Sequence, residues 1–307
     1  MKAAELPLYY NMCEILEHNL KARADKKALN SNDGSLTFGE VSSQVNQIGN
    51  ALLRSGIQFG DCVAILCPDR PEWVSSFFAV AKIGGIALAM NTLLKPEEYD
   101  YILGDSRTRV LMVHESLLDE IAPTFENHKS LEHVIVIGDS GDASYTTFDD
   151  WIVGEVDTLD AERTHRDDFC SLHYSSGTTG MPKGILHAHK DYPLIAQLSG
   201  VNLFGLTEDD RTFSVAKLFF VYGIGANLIF PWYVGASCVL HAGLPRQVAA
   251  VLKTIETFKP TIFVSVPTVY AAILALPNFN ERYDLSSIRM CMSAGEVLPV
   301  STWKAWK

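Results

Sequence analysis

The sequence has little positive charge for its size. Lys and Arg number 25 against 36 Asp and Glu, which gives a formal net charge of -11. Nucleic acids and anionic membrane surfaces bind proteins through cationic patches that displace counterions. We therefore predict neither nucleic acid nor a membrane as a partner, and an anionic ligand must be held by a local cationic site.

The sequence also lacks paired cysteines and a secretory leader. Its six cysteines are scattered among apolar neighbours, without the tight spacing of a zinc site or a disulfide-rich scaffold. The first ten residues contain Glu5 and Pro7 instead of a basic start followed by an apolar core. A chain of 307 residues, 48% of them hydrophobic, can bury a core without disulfides or a structural metal. We expect buried free thiols in a cytoplasmic protein.

One long stretch, residues 218–245, lacks charge of either sign. It is longer than the roughly 20 residues that span a bilayer. Glycine, proline and polar residues interrupt it at Gly223, Gly225, Asn227, Pro231 and His241. We therefore predict a helical piece, a break and a strand at 237–240 inside a protein core, and no membrane span.

Short β-type runs alternate with longer runs of helical period, which is typical of an α/β fold. The strand candidates are 62–66, 110–113, 134–137, 237–240 and 261–264. The helix candidates are 37–54, a segment from Pro71 to about residue 81, and 96–103. We predict β-sheets flanked by helices in layered αβα subdomains, at about 1–166 and 167–307, with the polar segment 138–166 as a surface connection.

The most informative segment is the hydroxyl-rich loop, residues 174–184, with the sequence Tyr-Ser-Ser-Gly-Thr-Thr-Gly-Met-Pro-Lys-Gly. Glycines let backbone amides approach an anion closely, and hydroxyls and a lysine add donors and a positive charge. The candidate phosphate-binding residues are Ser175, Ser176, Gly177, Thr178, Thr179, Gly180 and Lys183. The loop is not a nucleotide P-loop, because Pro182 precedes Lys183 and Gly184 follows it. Strand-like flanks predict a mobile loop between two strands, and the alternative is a turn that only reverses the chain.

This loop resembles the phosphate-loop motif of the adenylate-forming superfamily, which includes acyl-CoA synthetases, luciferases and peptide-synthetase adenylation domains. The resemblance extends over essentially the entire chain. Asp33-Gly34, Gly60-Asp61 and Asn91-Thr92 are similar to the N-terminal half of the family. Pro68-Asp69-Arg70-Pro71-Glu72-Trp73 and Asp105-Ser106-Arg107 look closest to the branch of benzoate-CoA and 4-hydroxybenzoate-CoA ligases. The resemblance implies an AMP-forming acid–thiol ligase that uses ATP, Mg²⁺ and coenzyme A on a small aromatic carboxylate.

Site residues follow from the same resemblance. Lys183 and Thr179 are expected to be catalytic, with Thr179 also near Mg²⁺ through ATP. The aromatic segment, residues 217–227, is similar to the segment that lines the acyl pocket. Many relatives have a histidine near the start of this segment, whereas this chain has Phe220 and Tyr222. The expected substrate contacts are Phe220, Val221, Tyr222, Gly223, Ala294 and Gly295. The turn 293–296 should border both the acyl group and adenine, with Gly295 and Glu296 at the nucleotide.

Two alternatives remain open at these sites. Aromatic side chains at 217–227 could simply fill a core, although a flat ring could also bind there. His187 and His189 could suggest zinc, but no nearby cysteine or carboxylate completes a ligand set, so we predict strand or turn residues.

By resemblance, the family's small C-terminal domain, its catalytic lysine and its adenine- and ribose-binding segments would lie beyond Lys307. We therefore expect a partial N-terminal domain. It represents either an aryl-CoA ligase or a ligand-binding fragment that does not turn over; a homodimer is compatible with both. A nucleotide hydrolase or phosphotransferase using the same loop is a third reading, and it predicts ADP and phosphate instead of AMP and pyrophosphate.

Overall fold

The computed structural model describes residues 5–175 and 180–307. In these ranges the strands are β1 (Lys27–Ser31), β2 (Gly34–Thr37), β3 (Cys62–Leu66), β4 (Ile86–Ala89), β5 (Val110–His114), β6 (His133–Ile137), β7 (Thr146–Thr147), β8 (Phe169–Ser175), β9 (Lys183–Ala188), β10 (Arg211–Ser214), β11 (Ser237–Val239), β12 (Ile262–Ser265) and β13 (Met290–Ser293).

The α-helices are α1 (Glu14–Glu17), α2 (Leu20–Arg23), α3 (Phe38–Arg54), α4 (Pro71–Lys82), α5 (Pro96–Ser106), α6 (Glu115–Ile121), α7 (Phe148–Ile152), α8 (Asp191–Ile195), α9 (Val221–Ile224), α10 (Phe230–Tyr233), α11 (Val248–Phe258), α12 (Pro267–Leu274), α13 (Phe279–Arg282) and α14 (Val300–Trp306). A 3-10 turn covers Ala122–Asn127, and wider π-helical turns cover Ala196–Leu203 and Gly225–Ile229.

The chain divides into two compact units. The first comprises the chain up to His18, Gly39–Pro68 and Glu72–Leu194, and the second comprises Asn19–Phe38, Asp69–Pro71 and Ile195–Lys307. This division differs from the boundary drawn near residue 166, because β8 and β9 pair into the sheet of the first unit.

The sheet of the first unit has the order β7-β6-β5-β3-β4-β8-β9. Its pairings are parallel except for the antiparallel hairpin of β8 and β9. Every residue of the central strand β3 is buried, so both faces of the sheet are covered, as a parallel sheet requires. On one face, Ala64 and Leu66 pack with Tyr99 and Ile102 of α5.

The sheet of the second unit has the order β13-β12-β10-β11-β1-β2 and is parallel except between β1 and β2. Phe213 and Phe263 on one face join a core with Leu252 of α11 and Ile273 of α12. On the other face, the Thr212 hydroxyl donates to Asn227 Oδ1 at 2.9 Å. The predicted class, an α/β fold with helix-flanked sheets, is confirmed.

Several local predictions are confirmed. The strand at 62–66 matches β3, and α3 buries Val41, Val45 and Ile48 completely. The charge-free stretch forms short helices and β11, and none of the described helices is long and apolar enough to span a bilayer.

Two expectations about exposure need correction. The segment 138–166 is more than a surface connection, because it contains β7 and α7 and buries Phe148 and Trp151. All six cysteines are free, but Cys291 is exposed because it lies on the edge strand β13.

Candidate functional site

The hydroxyl-rich loop joins β8 to β9 in the first unit, so the prediction of strands on both sides is confirmed. In the antiparallel register Ser175 stands opposite Lys183, and Tyr174 stands opposite Gly184. Ser175, Gly180 and Lys183 are exposed, whereas Ser176, Gly177, Thr178 and Thr179 lie outside the described residues. The expected mobility of the loop remains a prediction.

A tyrosine–carboxylate contact fixes the base of this hairpin. The Tyr174 hydroxyl donates to Asp105 Oδ2 at 2.5 Å, at the C-terminal end of α5. The tyrosine ring lies over Gly184, where an added Cβ would be 3.3 Å from Tyr174 Cζ and 3.0 Å from Leu172 Cδ1. Burial and the Asp105 carboxylate both raise the pKa of Tyr174, so its hydroxyl remains a donor at neutral pH.

Lys183 is the exposed cation at the start of β9. Within residues 5–175 and 180–307, the structure shows no carboxylate in an ion pair with its ammonium group. A lysine that is not already neutralised can offer its charge and three donors to a bound anion. The phosphate contact of Lys183 stays a prediction, and the exposure of the side chain is compatible with it.

In the second unit, Lys217, the first residue of the aromatic segment, forms a buried ion pair. Lys217 Nζ lies 3.7 Å from Asp69 Oδ2, and the Leu218 amide donates to Asp69 Oδ1 at 2.9 Å. Lys217 also donates to the backbone carbonyl of His241. Burial raises the pKa of Asp69 and lowers the pKa of Lys217, while each charge favours the ionised form of the other. Sequence reasoning did not assign Asp69 to the site.

Gly223 is required by close packing at the start of this segment. A Cβ at Gly223 would lie 2.1 Å from the Lys217 carbonyl oxygen and 2.6 Å from the Ala216 carbonyl oxygen. Both obstacles are backbone atoms, so they cannot move as the end of a flexible side chain can. Phe220 and Val221 are 47% and 48% exposed, so these two are not core residues in the described chain.

Three of the expected substrate residues meet at the carboxyl end of β12. The Tyr222 hydroxyl donates to the Ser265 carbonyl oxygen at 3.1 Å, and the Ala294 amide donates to the same oxygen at 3.4 Å. Gly295 has a φ of +88°, and a Cβ added to it would lie 3.7 Å from Val266 Cγ1. The carboxyl ends of parallel strands are where open α/β sheets bind ligands.

The remaining predicted residues are placed as follows. Glu296 is exposed in the turn after β13 and belongs to the second unit, as do the predicted substrate residues Phe220, Val221, Tyr222, Gly223, Ala294 and Gly295.

The two histidines near the end of the loop's second strand are His187, which lies on β9, and His189, which is buried just after it. His189 Nδ1 accepts a hydrogen bond from the Met12 amide at 2.9 Å. Burial lowers the pKa of His189 to about 4. His189 is therefore a neutral structural residue at physiological pH.

Comparison with known proteins gives a consistent family assignment. A family model described as AMP-binding enzyme matches residues 16–307. A benzoate–CoA ligase of Thauera aromatica is 38% identical over 99% of this chain and 58% of its own length. The chain thus spans between half and two thirds of the length of this relative.

Two solved structures are similar to the whole chain. The anthranilate CoA ligase AuaEII, in complex with anthranoyl-AMP, has a TM-score of 0.99 and 58% identity over 100% of this chain and 59% of its own. A benzoate CoA ligase from Burkholderia xenovorans LB400 has a TM-score of 0.88 and 30% identity over 97% of this chain and 58% of its own.

Proposed function

Since the chain belongs to the family of AMP-binding enzymes, we propose that it binds ATP and a small aromatic carboxylate and joins them as an aryl-adenylate. The observation that carries this proposal is the hydroxyl-rich loop at a hairpin whose base presents Lys183, which is exposed and has no carboxylate partner among the described residues. The similarity to a benzoate–CoA ligase and to the anthranilate CoA ligase supports benzoate or an aminobenzoate as the acid.

The proposed reaction activates a poor electrophile. A carboxylate oxygen of the acid attacks the α-phosphorus of ATP, the bond from that phosphorus to the bridging oxygen breaks, and pyrophosphate leaves. Lys183 and the hydroxyl-rich loop, including Thr179, stabilise the negative charge that develops on the phosphates. Donors placed at such a charge contribute about 3 to 4 kcal/mol each in comparable sites.

A divalent cation fits this chemistry, because Mg²⁺ prefers hard oxygen donors and is commonly held by phosphates with few protein ligands. The hydroxyl of Thr179, outside the described residues, is the proposed protein contact. Bound Mg²⁺ would supply positive charge against the phosphates. Gly295 and Glu296, at the carboxyl end of β13, are the proposed contacts of the nucleotide.

For the acid, we propose a pocket bordered by Phe220, Val221, Tyr222 and Gly223 on the aromatic segment and by Ala294 and Gly295 on the turn. The half-exposed side chains of Phe220 and Val221 would bury apolar area against a flat ring, at about 25 cal/mol per Å². This burial favours an aromatic acid over a small polar one.

Coenzyme A would complete the proposed reaction, because its thiolate would attack the adenylate carbonyl, form the thioester and release AMP. The cytoplasmic location and a homodimeric assembly are also proposals from the sequence. The alternative is a chain that binds the ligands without catalysing the reaction.

Aryl-acid-dependent exchange of labelled pyrophosphate into ATP tests the proposal. We expect exchange with benzoate or aminobenzoate, and about a hundredfold less with Lys183→Ala. Lys253→Ala, which removes an exposed lysine of α11, is the matched control and should retain exchange. Acid binding without exchange would support the non-catalytic alternative, and neither binding nor exchange would refute the proposed function.

A further inference from the structure

The hydroxyl of Tyr222 already donates a hydrogen bond within the protein. It has one proton, which it gives to the Ser265 carbonyl oxygen at 3.1 Å. Burial raises the pKa of Tyr222 to about 12, so the phenol keeps this proton at neutral pH. Within the part of the chain that the structure describes, no donor hydrogen-bonds to the Tyr222 oxygen. A hydroxyl oxygen can accept as well as donate, so its accepting side is available.

The acceptor of that proton is fixed in place. Ser265 ends β12, which pairs in parallel with both β10 and β13. The Ala294 amide converges on the same carbonyl oxygen at 3.4 Å. On the other side, the tight contact of Gly223 with the Lys217 carbonyl fixes the backbone next to Tyr222. The direction of the Tyr222 proton is therefore set by the fold before any ligand arrives.

From this arrangement we infer that Tyr222 acts as a hydrogen-bond acceptor toward the ring of the bound acid and selects aromatic acids that carry a donor substituent, such as an amino or hydroxyl group. The inference rests on the proposed function, because it takes Tyr222 to border the acyl pocket. An amino group could donate to the tyrosine oxygen. A fluoro, methoxy or dimethylamino group could not, and the desolvated oxygen would then lack a partner.

The competing explanation is that the Tyr222 hydroxyl only ties the helix α9 to β12. Loss of a purely structural hydrogen bond would lower stability and would weaken all acids alike. Loss of a contact that determines specificity would instead change the order of the affinities for different acids. The ranking of ligands therefore separates the two roles, which a stability measurement alone does not.

The test measures binding of substituted benzoates to the full chain by calorimetry. The panel places amino, hydroxyl, methyl, fluoro, methoxy and dimethylamino groups at each ring position, with unsubstituted benzoate as reference. At one ring position, we expect amino- and hydroxybenzoates to bind roughly three- to tenfold more tightly than their methyl and fluoro counterparts, which is the range of a single neutral hydrogen bond. The pairs hydroxyl–methyl and amino–dimethylamino test the idea without any substitution in the protein.

Two variants complete the design. Tyr222→Phe should abolish the preference, so that amino- and hydroxybenzoates bind no more tightly than their methyl and fluoro counterparts, whatever the variant's affinity for unsubstituted benzoate. Tyr233→Phe is the matched control, since it also deletes a tyrosine hydroxyl of the second unit, one that donates to Gln197 at 3.1 Å, and it should keep the preference.

The outcomes are distinct. A wild-type protein that binds donor and non-donor acids equally, or a preference that survives in Tyr222→Phe, overturns the inference and leaves the proposed aryl-acid function standing. Should no benzoate bind at any ring position, the proposed function is refuted and the inference with it.

Discussion

At the base of the hydroxyl-rich loop, Ser175 and Lys183 are exposed and the cation has no carboxylate partner among the described residues, whereas Lys217 and Asp69 beneath the aromatic segment are buried and paired. The two lysines thus have opposite environments. The exposed one can be removed without disturbing packing, so its loss reports on chemistry. The buried one helps to determine the backbone path, so its loss reports on the fold.

The largest effect should come from separating the buried pair. Asp69→Leu leaves the Lys217 ammonium without its counter-charge and the Leu218 amide without its acceptor, and we expect a loss of about 3 to 5 kcal/mol in the free energy of unfolding. Denaturant unfolding of the variant and the wild type gives this difference.

The double variant Asp69→Leu/Lys217→Met sharpens the measurement. Replacement of both charges by apolar groups removes the uncompensated charge, so it should recover most of the lost stability. A single variant that loses less than about 1 kcal/mol, or a double variant that is no better, contradicts the role assigned to this pair.

Next in size is the exposed lysine. Lys183→Ala should lower the rate of adenylation by about a hundredfold or more, while its unfolding free energy stays within about 0.5 kcal/mol of the wild type. Pyrophosphate exchange and thermal unfolding on the same preparation measure both. A fall in rate of less than twofold would remove Lys183 from the mechanism.

Gly223→Ala tests the packing of the aromatic segment. The new methyl group would meet two backbone carbonyl oxygens, so we expect a loss of roughly 1 to 3 kcal/mol or more, seen as a lower Tm. Gly225→Ala is the control. Its Cβ would be 3.2 Å from the side chain of Phe230, which can shift, and its effect should be under about 1 kcal/mol. Equal effects at the two glycines would show that backbone crowding is not the reason for Gly223.

The smallest effect concerns the hairpin base. Tyr174→Phe keeps the ring over Gly184 and removes only the hydrogen bond to Asp105, so it should cost about 0.5 to 1.5 kcal/mol in stability. Because the tyrosine flanks the hydroxyl-rich loop, we also expect a higher KM for ATP with little change in the KM for the acid. A change in the KM for the acid alone would contradict the expectation that Tyr174 influences ATP binding.

The same contrast shows what the sequence could predict. The strand 62–66 and the helix starting at Pro71 were predictable, because residue type and period determine local structure. The resemblance to adenylate-forming enzymes was predictable from the contiguous string of the loop motif, and the family match confirms that resemblance. Roles for individual residues of that string stay predictions, since Ser176, Gly177, Thr178 and Thr179 lie outside the described residues.

Contacts between distant positions were not predictable. Asp69 and Leu218 are 149 residues apart, and Asp105 and Tyr174 are 69 apart. Spacing along a chain does not report which buried carboxylate meets which amide. The prediction that segment 138–166 is only a surface connection was incomplete for a related reason. Local composition does not reveal that the fold buries Phe148 and Trp151.

Identification of the products of a single turnover tests the central claim most directly. With ATP labelled at the α- and γ-phosphates and an amino- or hydroxybenzoate present, the account predicts an aryl-adenylate that carries the α-label and pyrophosphate that carries the γ-label. ADP with free phosphate, or label release that does not depend on the acid, would contradict it.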